Sequence, residues 1–283
     1  MSAASLALAP PSRVRAIPGF GLAFGITLAW LSLIVLIPLA ALLIKPWQLG
    51  LGGLWQSLAE PRVLAALRLS FGAALLAALA NLPLGLLVAW AIVRLRFPGR
   101  AALDAAVDLP FALPTAVAGI ALTALFATNG WLGAPLAALF GWQVAFTPAG
   151  VVVALMFVGL PFIVRSVEPV LRDLGPEAEE AAATLGATRP QALWRVVLPA
   201  LLPALLTGFG LAFARAVGEY GSVIFIAGNM PMVSEIAPLL IVIRLEQFDY
   251  AGAAAVGLAM LVLSFAILLA LNALQRMLRR GRR

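Results

Sequence analysis

The chain has 283 residues, 63% of them hydrophobic and only 11% charged, with a net charge of +7 and a mean hydropathy of +1.06. So little charge cannot furnish a water-facing shell, which excludes an ordinary soluble domain and makes lipid the solvent for most of the surface. The absence of cysteine and histidine removes disulfides, thiol nucleophiles, histidine metal sites and histidine proton relays.

The length suits an all-α bundle of about six spanning helices at ~20 residues each. A barrel would alternate apolar and polar residues, whereas these segments are apolar all round. The first predicted span is 20–44, closed by Lys45-Pro46 and too long for a signal peptide. The second is 63–93, ending at the basic turn Arg94 to Arg100. The third, 103–127, opens with Asp104 and Asp108, and Pro110 and Pro114 predict a kink in it. Asn129-Gly130, Trp131 and Trp142 form an outer loop with interfacial aromatics. The fourth span is 147–167, followed by a polar stretch, 168–198, that cannot span. The fifth is 199–225 and the sixth 251–273. Ile236 to Leu245 is apolar, but Pro238 and the flanking Glu235, Arg244 and Glu246 make it a short outer helix or re-entrant segment.

With residues 1–19 and the basic tail 274–283 both inside, 14 of the 19 basic residues fall on the cytoplasmic side. The permease-like transmembrane domain is then 20–273, with both termini cytoplasmic. The arginine excess is a topology signal, not a nucleic-acid-binding face, because it lies in short clusters between apolar spans.

The polar stretch carries the most specific pattern. Pro176 can open a helix whose positive end suits Glu177, Glu179 and Glu180. Ala178, Ala181, Ala182 and Leu185 recur at helical spacing as one apolar face, and Gly186 stops the helix. After Ala187, Thr188 can cap a second helix with Pro190 in its first turn. So short a helix is unstable alone in water, and its small-residue face suits a groove on a partner. Spacing alone leaves a solvated connecting loop as the other reading.

Glu180-Ala181-Ala182, three residues, Gly186, nine residues, then Val196-x-Leu198-Pro199 resembles the EAA loop of binding-protein-dependent ABC importer permeases. Val196 stands where that family usually has isoleucine. The resemblance implies a type I ABC importer permease fold in the bacterial inner membrane. It also implies a coupling helix, Glu177 to Thr188, seated in a separate ATPase. The only lysine, Lys45, lies between Ile44 and Pro46, so this chain has no phosphate-binding loop of the G-x-x-x-x-G-K-[ST] kind. No cofactor is then expected in this non-catalytic chain, and ATP and Mg would be bound by the partner ATPase.

Further stretches resemble the sulfate/thiosulfate permeases of the CysT type. They include Arg96-Phe-Pro-Gly-Arg100, Asp108 to Gly119, Val170 to Glu177, Gly218 to Asn229 and Arg244 to Tyr250. That likeness implies a second permease subunit (CysW-like), two copies of an ATPase (CysA-like), and a periplasmic sulfate- or thiosulfate-binding protein. A molybdate or tungstate permease is the alternative, and would be a homodimer.

Two sets of residues are candidates for the translocation pathway. Arg215 and Glu219, four apart in the fifth span, share a face. They either help admit a dianion or form an ion pair that fixes helix packing. Pro114 and Thr115 either offer freed backbone groups and a hydroxyl to a desolvated oxyanion or form a packing kink. Asp104 and Asp108 would repel an anion and are expected to face water or arginines such as Arg100. An ion-coupled secondary transporter would need inverted repeats and midplane carboxylates, and only Glu219 lies well inside a span. A membrane enzyme would need clustered intramembrane groups that the sequence lacks.

Overall fold

The computed structural model describes residues 20–280. The expected N-terminal tail, 1–19, with Arg13 and Arg15, and the tail arginines Arg282 and Arg283 lie outside the described residues. The described residues are mostly helical, with no strand among them, and divide into two compact units, the first ending at Ile44 and the second beginning at Lys45.

In the first unit, α1 (Phe20–Leu31) passes through a π-helical turn, Ser32–Leu36, into α2 (Ile37–Ile44). None of these residues is buried. The sequence is apolar on every side, and its one hydroxyl in α1 is satisfied within the helix, where Thr27 Oγ1 donates to Ala23 O at 2.9 Å. Such a surface demands lipid or a protein partner.

The second unit begins with a 3₁₀ turn, Lys45–Leu49, and α3 (Gly50–Ala59). Glu60 is extended, and Pro61 then opens α4 (Pro61–Arg94). Next come α5 (Arg100–Val107), α6 (Leu109–Ala112), α7 (Thr115–Phe126) and α8 (Gly133–Phe140). α9 (Pro148–Leu174) leads to α10 (Glu177–Thr184) and α11 (Arg189–Ala192), and a π-helical turn, Leu193–Val197, feeds α12 (Leu198–Val217). α13 (Val223–Ile226), α14 (Ala237–Glu246) and α15 (Tyr250–Arg280) complete the described residues. Among the described residues, five helical stretches are long and apolar enough to cross a membrane: Phe20–Ala59, Pro61–Arg94, Pro148–Leu174, Arg189–Val217 and Tyr250–Met277.

The expected third span departs most from its prediction. In place of one kinked helix over 103–127 there are three pieces, α5, α6 and α7, with Leu113 extended before Pro114. A residue before proline is pushed out of the helical region, and Pro114 cannot donate to the ladder. The fifth span also ends early, at Val217 and not at 225, so Glu219 lies beyond its helix. The fourth runs on through Leu174, seven residues past its expected end. Of the apolar stretch Ile236 to Leu245, Ile236 is extended and the rest falls in α14, a helix of ten residues and too short to span.

α4, α9 and α12 form the core of the second unit. Ala73, Ala77, Asn81, Gly85 and Ala89 follow one another at four-residue spacing on α4 and all are buried. Small residues let the backbones approach. A Cβ on Gly85 would lie 2.5 Å from Ile163 Cγ2 of α9, and one on Gly208 of α12 would lie 3.0 Å from Ile163 Cα. Asn81, 1% exposed, donates from Nδ2 to Met156 O at 2.9 Å, which satisfies its amide across the α4–α9 contact.

The end of α4 that begins at Pro61 is held by charge. Arg62 donates to both oxygens of the buried Glu235 at 2.8 and 2.7 Å. Arg244 pairs with Glu60 at 2.5 Å and donates to Ser57 Oγ at 2.7 Å. Ser70 Oγ accepts the Ala237 N–H at 2.8 Å and fixes the start of α14.

Candidate functional site

The segment expected to couple to an ATPase leaves α9 at Gly175, whose φ of +62° favours glycine. Glu177, Glu179 and Glu180 occupy the first turn of α10, where the helix dipole favours carboxylates. The helix ends in a Schellman turn. The Gly186 N–H donates to Ala183 O at 2.9 Å and the Ala187 N–H to Ala182 O at 3.0 Å, with Gly186 at φ +85°. Thr188 and Gln191 then form a capping box on α11, with the Thr188 N–H donating to Gln191 Oε1 at 2.9 Å. The Thr-x-x-Gln spacing was the sequence signal for that second partner.

The predicted single apolar face on α10 is divided between two surfaces. Ala182 is buried and Ala178 half-buried against the rest of the chain. Ala181 points outward, and Leu185 is 89% exposed. Glu177, Glu180, Gly186 and Thr188 are exposed as well, and Ala187 is half-buried. An exposed leucine at the tip of a short helix leaves an apolar knob with little covering it among the described residues.

Arg94, predicted only as part of a basic turn, anchors this segment. From the end of α4 it donates to Gly175 O and pairs with Glu179 at 3.1 Å, and its guanidinium carbon lies 5.9 Å from the centre of the Trp90 ring. A cavity of about 690 Å³ opens beside it, lined by Trp90, Glu179, Glu180, Ala187, Pro190 and Leu193 among others.

The two candidate pathway sets come together in the structure. Arg215 Nη1 is 2.5 Å from Glu219 Oε2. Glu219 Oε1 accepts the Ser222 N–H and Oγ–H, each at 2.9 Å, so the carboxylate closes the turn after α12. Glu219 is buried, whereas the Arg215 side chain is 37% exposed. That turn packs on the start of α7. A Cβ on Gly221 would lie 2.2 Å from Thr115 Oγ1, and one on Gly119 would lie 2.4 Å from Ser222 O. Pro114 is the residue before α7 and directs Thr115 to this contact.

Asp104 and Asp108 find an arginine, but it is Arg165 of α9, at 2.7 Å from each. The nearer sequence neighbour, Arg100, is not their partner in any ion pair among the described residues. At the Pro61 end of α4, Arg68 is exposed and lines a cavity of about 590 Å³ with Met232 and Val233.

Residues 81–283 match the family described as the binding-protein-dependent transport system inner membrane component. The chain belongs to that family. Over 276 residues this permease is 49% identical to the sulfate transport system permease protein CysT of Salmonella typhimurium, covering 98% of each chain. It is 51% identical to the protein of the same name from Synechocystis, covering 90% of this chain and 89% of that one. Among solved structures, a chain of a bacterial alginate ABC transporter superposes with a TM-score of 0.75 at 19% identity, covering 91% and 93% of the two chains. A chain of the inward-facing MetNI methionine transporter gives 0.53 at 20% identity, covering 76% and 94%. The permease therefore has the type I ABC importer fold and is a multi-pass inner-membrane protein of the CysT group.

Proposed function

We propose that this chain is a channel-forming subunit of an ATP-driven importer for sulfate or thiosulfate. Alternating access is driven by a separate ATPase through the EAA segment. The observation that carries the ATPase reading is α10 itself, fixed to the bundle by Arg94 while presenting Leu185 and Ala181 outward. Glu177, Glu180, Ala181, Ala182, Leu185, Gly186, Ala187 and Thr188 are its coupling residues, through contact or through the turn that shapes it. The substrate class rests on likeness over nearly the whole chain to permeases named for sulfate.

In this reading the pore is completed by a second, CysW-like permease subunit. Two CysA-like ATPases bind ATP and Mg, and a periplasmic binding protein delivers the oxyanion. Both termini and α10 are cytoplasmic. The broken helix at Pro114-Thr115 and the Arg215–Glu219 turn flank the pathway, where the half-exposed guanidinium can meet a dianion on its way through. The weak site this provides is enough, because selection belongs to the binding protein.

The test is purification of the tagged chain from its native host in mild detergent, with mass spectrometry of every co-purifying protein. One distinct homologous permease plus an ATPase is the expected result. The ATPase alone would point to a homodimer and to molybdate or tungstate. Neither, from an intact monodisperse preparation, would end the coupling-helix argument.

A further inference from the structure

The stretch Arg100 to Ala112 is attached to the bundle by little apolar surface. α5 buries only Val107 and α6 buries no residue, while Leu109 and Phe111 are largely exposed. The chain is broken on both sides of this arm, by the left-handed Gly99 at φ +91° before it and by extended Leu113 and Pro114 after it. An edge-to-face contact of Phe111 with Phe162 of α9, at 5.3 Å between ring centres, is its main aromatic tie.

Beyond Val107, which reaches the core, and the Phe111 contact, the polar hold on the arm is one guanidinium. Arg165 donates from Nε and Nη2 to the two oxygens of Asp108 at 3.0 and 2.7 Å. From Nη1 it reaches Asp104 Oδ1 at 2.7 Å, and from Nη2 the Asp104 backbone carbonyl at 3.0 Å. Nη1 also donates to Glu168 Oε2 at 2.5 Å, and the other Glu168 oxygen accepts from Arg172 Nη2 at 2.6 Å. Three carboxylates and two guanidiniums thus form one network, in which only Arg165 bridges to the arm. The planar fork serves five acceptor oxygens at fixed angles, which an ammonium cannot do.

The position of Arg165 gives the tie a mechanical consequence. It lies on α9 about 14 Å before Leu174, where that helix passes into Gly175 and the coupling segment. The arm it grips leads directly into Pro114 and Thr115, against the Glu219–Ser222 turn. We infer that Arg165 is a positioning residue for transport: it ties the arm to α9, so that displacement of the coupling end of α9 moves the broken helix. This rests on the importer reading above and adds to it the element that carries motion from α10 to the pathway.

The experiment uses the intact complex in proteoliposomes with its binding protein, reading ATP-dependent sulfate uptake and ATP hydrolysis in parallel. Arg165→Gln and Arg165→Lys are expected to assemble and hydrolyse ATP while uptake per ATP falls about tenfold, within the usual span of coupling free energies. Asp108→Asn, at a half-exposed carboxylate, should lower the same ratio by less, and Arg165→Gln with Asp108→Asn should be no worse than Arg165→Gln alone. Lysine failing to rescue separates a geometric tie from a mere need for positive charge. An unchanged uptake-to-hydrolysis ratio in Arg165→Lys and Asp108→Asn overturns the inference, even if Arg165→Gln fails to assemble. A wild-type complex that hydrolyses ATP but takes up no sulfate, thiosulfate or molybdate overturns the importer reading and the inference together.

Discussion

The α4–α9–α12 core and the arm beside it, Arg100 to Ala112, are held by opposite means. The core depends on missing atoms: Gly85 and Gly208 let three backbones close around Ile163. The arm depends on one group that is present, the Arg165 guanidinium, and buries almost nothing. In lipid the hydrophobic effect does not drive helices together, so close van der Waals contact and polar ties must do it. A region built on close contact has one good packing. A region built on a polar tie can be repositioned without dismantling a core, and the arm is where the broken helix begins.

The sharpest way to break the contrast is to fill the core. Gly85→Val would drive a side chain into Ile163, and overpacking of this kind costs about 3 kcal/mol. The expected outcome is a large fall in monodisperse yield and in the unfolding midpoint in detergent. Gly72, on the same helix but with no atom within 4 Å of an added Cβ, should accept alanine with little change. Equal damage at both sites would show that α4 is sensitive to any added side chain, and the glycine argument would fail.

The next largest effect is expected at the coupling tip. Leu185→Asp removes nothing from the chain's own core, because Leu185 is 89% exposed. The unfolding midpoint of the isolated subunit should therefore hold. Retention of the ATPase should weaken by about thirtyfold, roughly 2 kcal/mol, as for a buried anchor at an interface. A third substitution tests the turn that presents this tip. Gly186→Val places a β-branched residue at φ +85°, a strain of about 1–2 kcal/mol. It should reduce ATPase retention by about tenfold or less while leaving Leu185 in place. Loss of retention in Gly186→Val with normal retention in Leu185→Asp would reverse the assignment of contact and scaffold.

The contrast between core and arm also marks what could be read from the sequence. Hydropathy and helical spacing are local, so most spans, the short α14 and the α10–α11 elbow were legible. Ion-pair choice is not local. Asp104 and Asp108 were expected to face water or arginines such as Arg100 nearby, but Arg165, 57 residues beyond Asp108, takes both. Polarity set the expected end of the fourth span at 167 and gave no sign of how far its helix runs on from Glu168. Glu168 pairs with Arg165 and Arg172 at i−3 and i+4, which lets α9 continue to Leu174. The break at Leu113 was predicted as a kink because proline content does not reveal whether neighbouring contacts will straighten a helix or leave it open. Arg94 looked like a topology charge, and its grip on Gly175 and Glu179 depends on how α4 and α10 meet.

The smallest expected effect concerns Arg215, and it separates two roles that its neighbours make easy to confuse. Glu219 keeps two donors from Ser222 whether or not the arginine is present. Arg215→Gln should therefore leave the turn closed and the complex assembled. It should nonetheless lower oxyanion uptake about threefold, less than 1 kcal/mol, because only a partly neutralised and half-exposed cation is lost from the pathway. Measuring uptake across substrate concentration distinguishes the cases. A change in half-saturation with an unchanged ATPase rate fits a guanidinium that meets the anion. An unfolding midpoint that falls while uptake per assembled complex stays constant would assign Arg215 to helix packing, leaving Pro114 and Thr115 as the remaining pathway candidates.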